Sequence, residues 1–189
     1  MTQIQTSPAV PTASMEHTYQ AEYLHYIVSD VRKERILCLD PGETLGWAFF
    51  VDGHVLRCGQ YPIHKRLAAG ESFCLLLNSF IDDLVCATDE SAQLIDVCVT
   101  EDYVVYAHKL QANVWSSLFT VRLIGAFQLL CSERRLPVTY QMAAEAKFFG
   151  SDDKLRRWGL YQTKLKHAND AIRHGVYYML RKSSLTRRK

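Results

Sequence analysis

The chain predicts an α/β fold, a mixed five-stranded sheet in the order 3-2-1-4-5 with helices on its faces. Three observations predict it. Three short apolar runs near the start are joined by tight turns, as in an antiparallel meander. Later apolar runs alternate with stretches of helical periodicity, as in strand–helix–strand crossovers. Right-handed crossovers then put the fourth strand beside the first, on the side away from the second.

Taken in order, Arg35 to Asp40 reads as a buried strand and Gly46 to Val51 as a second. Asp52-Gly53 makes a two-residue hairpin turn, and Val55 to Tyr61 returns as the third strand. After Gly70, the residues Phe73, Leu76, Leu77, Phe80, Ile81 and Leu84 recur at helical spacing. Leu94 to Val99 is a fourth strand that runs on to Glu101. A helix over Val114 to Arg134 turns Leu118, Val121, Leu123, Ile124, Phe127 and Leu130 inward, and Leu136 to Tyr140 is the fifth strand, with Pro137 near its start, where proline is tolerated. A loop holding a short basic helix, Lys154 to Tyr161, leads to a final helix that begins near His167. Residues 1–30 are expected to be a flexible leader, 31–182 a single folded domain, and 183–189 a basic tail.

With 189 residues, 48% hydrophobic and 22% charged, the chain can bury a sizeable core and is not of disordered composition. No apolar run approaches ~18 residues, so no membrane-spanning helix and no membrane partner are expected. The N-terminus lacks the charged start and apolar stretch of a secretory signal. Six scattered cysteines without a Cys-x-x-Cys pair suit a reduced, cytoplasmic setting and argue against zinc. The net charge of +2 hides an asymmetry: from Lys147 onward there are twelve lysines and arginines against three acids. That basic quarter suits a polyanionic partner, or else a solvated helix face with a basic tail.

The densest chemistry lies in Arg35-Ile-Leu-Cys-Leu-Asp-Pro-Gly-Glu-Thr-Leu-Gly-Trp-Ala-Phe-Phe50. An apolar strand drives into Asp40, and Pro41-Gly42 turns the chain away. A carboxylate there suits a metal, and a bared backbone turn there suits a phosphate. Glu101 ends the neighbouring parallel strand, at the sheet edge where open α/β sheets bind ligands. On the last helix His167, Asp170, Ala171 and His174 are spaced i, i+3, i+4 and i+7 and share one face. His167 and Asp170 either join the two carboxylates around an ion or belong to a capped helix start, with Asn169 or Asp170 as the cap. Hard oxygen ligands with one imidazole suit two Mg2+ ions, or Mn2+ in their place, which clamp the attacking and leaving oxygens of a phosphoryl displacement.

Asp-Pro-Gly followed by Gly-Trp-Ala, Glu101 closing Val97-Cys-Val-Thr, and His167-Ala-Asn-Asp170-Ala together resemble the RuvC-like Holliday junction resolvases of the RNase H-like superfamily. Glu101-Asp-Tyr, Thr120-Val-Arg-Leu-Ile-Gly-Ala126 and the stretch through Gly175 look most like phage-encoded members, which would act in the cytoplasm of a bacterial host. The match runs from about Arg35 to Leu180. It implies an RNase H-like fold and a Mg2+-dependent endonuclease that works as a homodimer on four-way or other branched DNA. It implies that Asp40, Glu101, His167 and Asp170 are metal ligands, and that Lys147 and Lys154 stand near the scissile phosphate. The same reading assigns DNA contacts to Tyr103, Tyr106, Lys109, Arg156, Arg157, Lys164 and Lys166. Where bacterial members carry a base-wedging phenylalanine, three residues after the glutamate, this chain has Val104 between Tyr103 and Tyr106. His174 and Trp158 are expected to pack or to contact backbone rather than to catalyse.

Three other readings share parts of this pattern. An ATP-binding protein of the actin-like superfamily has the same strand–Asp–turn opening, but needs a second glycine-rich phosphate hairpin, and no Gly-x-Gly follows Gly70 here. A non-catalytic nucleic-acid binder on the same fold would be expected to lack a carboxylate, and all three are present. A less selective nuclease acting on flaps, forks or structured RNA would carry the same site.

Overall fold

The computed structural model describes residues 25–68, 72–86, 95–103 and 114–188. For residues 66–68, 73, 83–86 and 114–118 it describes the backbone alone. The described elements are α1 (Ser29–Arg32), β1 (Ile36–Asp40), β2 (Leu45–Val51), β3 (His54–Tyr61), α2 (Ile63–Ala68), α3 (Phe73–Cys86), β4 (Val97–Asp102), α4 (Val114–Glu133), β5 (Val138–Met142), α5 (Ala143–Phe149), α6 (Asp152–Arg157) and α7 (Lys166–Thr186). The five strands form one sheet in the order β3-β2-β1-β4-β5, as the sequence predicts. β1 pairs antiparallel with β2 and parallel with β4, and β4 pairs parallel with β5.

Strand periodicity builds the two cores. Successive side chains of β1 point to opposite faces. Ile36 and Cys38 face a cluster with Ala48, Phe50, Val97, Val99 and the inner side of α7. Leu37 and Leu39 face the other cluster, with Trp47, Phe49, Leu77, Ile81, Leu123 and Phe127 from β2, α3 and α4. The molecule is therefore three layers, with α1, α6 and α7 on one face of the sheet and α2, α3 and α4 on the other. Asp40 continues the Ile36–Cys38 row, so its carboxylate faces α7. The β2–β3 hairpin turns on Asp52 (φ 52°) and Gly53 (φ 80°), both left-handed as a two-residue turn of this kind requires.

The structure corrects several expected boundaries. β4 begins at Val97 and includes Glu101, with the amides of Asp96 and Val97 bonding the Arg35 carbonyl at the sheet's start, while Leu94 lies outside the described residues. β5 runs from Val138 to Met142, two residues beyond the expected Tyr140, because its ladder follows β4 out to Asp102. The expected loop after β5 contains a helix, α5. It starts straight from Met142 with no side-chain cap, so no capping residue announces it. α6 starts at Asp152 rather than Lys154, since Ser151 is its cap and Oγ accepts the Lys154 amide at 3.4 Å. On α4, Val121 is 44% exposed instead of inward, whereas Leu123, Phe127 and Leu130 are buried.

Packing also extends past both expected domain limits. Ile27 and Val31 are buried, and Ser183 on α7 is buried with its hydroxyl accepting the Val28 amide at 3.1 Å. The folded unit thus begins before residue 31, and α7 carries 183–186 as helix rather than tail. Among the described residues no helix is long and apolar enough to cross a membrane.

Gly175 fixes how closely α7 lies on the sheet. A Cβ there would stand 2.7 Å from Phe50 Cζ and 2.9 Å from Cys38 Sγ. Gly175→Ala is therefore expected to destabilise the fold by about 1–3 kcal/mol, the cost of overpacking outweighing the helix-propensity gain. Urea unfolding checks this, and Phe50→Leu should cost less in the Gly175→Ala background than alone, because it relieves the same clash.

Candidate metal centre

The site is a row of residues that crosses all five strands. Register pairs Gln60 with Gly46 and Gly46 with Asp40. β1 and β4 run parallel with Leu39 beside Thr100, and one step on this brings Asp40 beside Glu101. Glu101 in turn pairs with Gln141. The first two turns of α7 lie over this row. The N-cap position of α7 is Leu165, which has no side chain to cap with. Instead Gln60 Oε1, from β3, accepts the His167 amide at 2.7 Å and satisfies one open donor of the helix start. Gly46 lies directly beneath: a Cβ there would run into the His167 carbonyl and stand 2.8 Å from His167 Cβ. Asn169 is buried and holds both the N–H and the C=O of Gln162 at 2.8 Å, which closes the loop before the helix. Neither Asn169 nor Asp170 caps the helix, so that alternative for the segment is not realised.

This seating brings Asp40, His167 and Asp170 together, with one ligand atom from each within 4.8 Å of the others. His167 Nδ1 lies 2.9 Å from Asp40 Oδ2. Glu101 stands beside Asp40 in the strand register but lies outside that triplet. His174, on the same helix face, holds it: Nε2 is 3.6 Å from Glu101 Oε2 and Nδ1 is 3.0 Å from Gln141 Oε1. His174 is buried, as a packing residue would be, and in addition serves as a polar anchor for Glu101.

Electrostatics single out Asp40. Burial raises its pKa, and the charges of Asp170 and Glu101 push the same way against the His167 hydrogen bond. Burial also acts upward on Glu101, but the hydrogen bond and charge of His174, the bond from Asp40 and the charge of Lys147 together bring it below the usual range. His167 is raised by its bond to Asp40, against the opposing effect of burial. Asp170 is compensated differently. Arg173, itself buried, donates to its Oδ1, to Asp152 and to the Gly150 carbonyl, and Lys147 Nζ lies 3.9 Å from the same Oδ1. All three acids have a cationic or donor partner within the protein, but the balance falls below the usual range for Glu101 and above it for Asp40, whose partner His167 acts against burial and two neighbouring acids. The donor set fits a hard divalent cation: two carboxylates and an imidazole converge where burial and two neighbouring acids outweigh the imidazole's support of a buried carboxylate.

The other expected residues are placed unevenly. Lys147 (side chain 57% exposed) and Lys166 line a cleft of about 560 Å³ with Ser151, Asp152, Tyr161, Asp170 and Arg173. Lys154 is in the first turn of α6 and is not among those lining residues. Arg156 stacks over Tyr161 at 4.1 Å and pairs with Asp152 and Asp153 at 3.9 and 3.3 Å. Arg157 and Lys164 are exposed, the latter at φ 66° in the loop before α7. Tyr103 is half-buried just past β4, while Val104, Tyr106 and Lys109 lie outside the described residues. Sequence reasoning missed Gln60, Gln141 and Arg173. Their partners lie far along the chain, 107 positions for Gln60, 33 for Gln141 and 21 for the Arg173–Asp152 contact, so no local pattern marks them.

Gly46→Ala is expected to lift the start of α7 and weaken Mn2+ binding by about tenfold or more, roughly 1.4 kcal/mol or above. Calorimetric titration of Mn2+ into the folded variant checks it.

No family model and no curated protein matches the sequence. Among solved structures the chain is similar to Thermus thermophilus RuvC in complex with a Holliday junction substrate, with a TM-score of 0.60 at 13% identity over 80% of this chain and 96% of that one. It is also similar to RuvC of the same organism in a second structure, with a TM-score of 0.53 at 13% identity over 80% and 97% of the two chains. The mixed sheet in the order 3-2-1-4-5 and its flanking helices are thus the RNase H-like fold of RuvC.

Proposed function

We propose that the protein is a divalent-metal-dependent endonuclease that resolves four-way or other branched DNA by paired hydrolytic nicks. The observation that carries this reading is the convergence of Asp40, His167 and Asp170 within 4.8 Å at the end of β1, in the RuvC fold. The similar RuvC complex holds a Holliday junction substrate, and branched DNA is the substrate class proposed here.

Two Mg2+ ions, with Mn2+ as a substitute, would supply positive charge to both the attacking and the leaving oxygen of an in-line displacement. Asp40, Asp170, His167 and Glu101 would hold them, with Asp40 central because it stands beside all three partners. The chain's own residues do the remaining work. His174 and Gln141 fix the Glu101 carboxylate, and Gln60 and Gly46 fix His167. Lys147, exposed at the mouth of the cleft, places an ammonium where the substrate's phosphate would lie, and Lys166 extends that basic lining. Lys154, Arg156, Arg157, Lys164, Tyr103, Tyr106 and Lys109 are proposed to contact the DNA arms around this cleft.

A homodimer would place two such centres on opposite strands of a two-fold junction. The outer face of α4 supports that assembly: Val121 and Leu129 are 44% and 52% exposed, one turn on either side of Gly125, which has open space before it. The phage-type affiliation and action in the host cytoplasm belong to the same proposal, drawn from sequence features.

The test is cleavage of labelled four-way, flapped and linear duplex DNA with Mg2+. Symmetric nicks on the four-way substrate are expected, and Asp40→Asn should bind the junction but cut at least ~1000-fold more slowly. Equal cutting of linear duplex would sink the junction-resolving claim, and preferred cutting of flaps would favour the less selective nuclease. Full activity in Asp40→Asn would remove the site.

A further inference from the structure

The proposed reaction leaves unexplained why one metal ligand is gripped by a buried arginine. Arg173, one turn beyond Asp170 on α7, is 8% exposed. Its guanidinium is divided among three acceptors: Nε donates to the Gly150 carbonyl at 2.7 Å, and the two terminal nitrogens donate to Asp170 Oδ1 and Asp152 Oδ1. Lys147 Nζ approaches the same Asp170 oxygen, at 3.9 Å. Two cations therefore claim Oδ1, so a metal held among Asp40, His167 and Asp170 would draw on Oδ2 alone unless the Arg173 bond gave way.

The number of oxygens a carboxylate can offer discriminates between cations. Ca2+ takes six to eight oxygens at roughly 2.3–2.6 Å and readily accepts both oxygens of one carboxylate. Mg2+ holds to an octahedron at roughly 2.0–2.1 Å, built from single oxygens. For Asp170 to turn both oxygens to a cation, it would have to break a charge-assisted bond in a buried place, leaving one Arg173 terminal nitrogen without its acceptor. We propose that Arg173 is a selectivity-determining positioning residue: it holds Asp170 to one-oxygen ligation and so tunes the centre to Mg2+ and Mn2+ against Ca2+. The proposal deepens the metal reading above and rests on it.

Arginine suits this role where lysine does not. Its planar fork reaches three acceptors in fixed directions, and an ammonium would leave Gly150 or Asp152 without a partner. The same fork ties the Lys147-bearing helix to the metal ligand, because Gly150 ends α5 and a Cβ there would stand 3.0 Å from Arg173 Cγ.

The test uses the full chain without DNA. Mg2+, Mn2+ and Ca2+ are titrated by calorimetry into the wild type, Arg173→Gln, Arg173→Lys and Asp152→Asn, with Asp40→Asn as the reference lacking the centre. The wild type is expected to favour Mg2+ over Ca2+. Both Arg173 variants should shrink that preference about tenfold, mainly by tightening Ca2+ binding. Asp152→Asn loosens only the outer end of the fork and should shrink it by about two- to threefold. An unchanged Mg2+/Ca2+ ratio in folded Arg173 variants overturns the proposal. If those variants melt, Asp152→Asn decides alone, since its side chain is 49% exposed and its loss leaves the Asp170 contact in place. Wild-type binding that Asp40→Asn does not abolish is a different result, and it removes the metal reading itself.

Discussion

Asp40 ends a strand whose other residues are all buried, in a position where a carboxylate is costly unless something compensates it. Most of the neighbouring structure answers that one cost. Gly46, opposite Asp40 on β2, carries no side chain, so the start of α7 can settle against the sheet there. That contact delivers the His167 imidazole to Asp40 and brings Asp170 within ligand distance. The two acids nearest to Asp40 make its burial worse, and each is balanced by a separate group, His174 for Glu101 and Arg173 for Asp170. The protein thus offsets the charges around Asp40 more fully than the charge on Asp40 itself. Positive charge supplied from outside would have its largest effect there.

What the sequence makes legible follows from local periodicity. Alternation along β1 and β2, the Asp52-Gly53 turn and the helical spacing of α3 and α7 are each set by residues close together in the chain, and they give the sheet order. The i, i+3 and i+7 spacing of His167, Asp170 and His174 likewise places three polar groups on one face before any fold is known. The misses have a common physical cause. Gln60 caps α7 from 107 positions away, and Gln141 holds His174 from 33 positions away, so neither role has a local signature. α5 escaped because it springs from a strand without a capping residue, and Val121 was turned inward because a helix with two apolar sides has no single preferred face.

Arg173 is a different kind of miss. A lone arginine between Ile172 and His174 reads as a solvated charge. It is buried because Asp152 and the end of α5 fold back over it, and that fold-back depends on Ser151 capping α6 and on Gly150 ending α5. Its role is therefore set by a tertiary arrangement that its own neighbours in sequence do not encode.

Two glycines account for how rigidly the centre is held. On the sheet side, Gly46 clears the backbone of His167; on the helix side, Gly175 clears Phe50 and Cys38. Eight residues of helix separate His167 from Gly175, about 12 Å at ~1.5 Å per residue. Four residues of strand separate Gly46 from Phe50, about 13 Å at ~3.3 Å per residue. Helix and strand can then lie as two bars of nearly equal length, touching at both ends through contacts that leave no room for a methyl group. Asp170, Arg173 and His174 all project from the span between those contacts. At Gly46 the contact is backbone against the His167 backbone, and at Gly175 it is backbone against the buried Phe50 and Cys38 side chains, so packing at both ends positions the ligands between them.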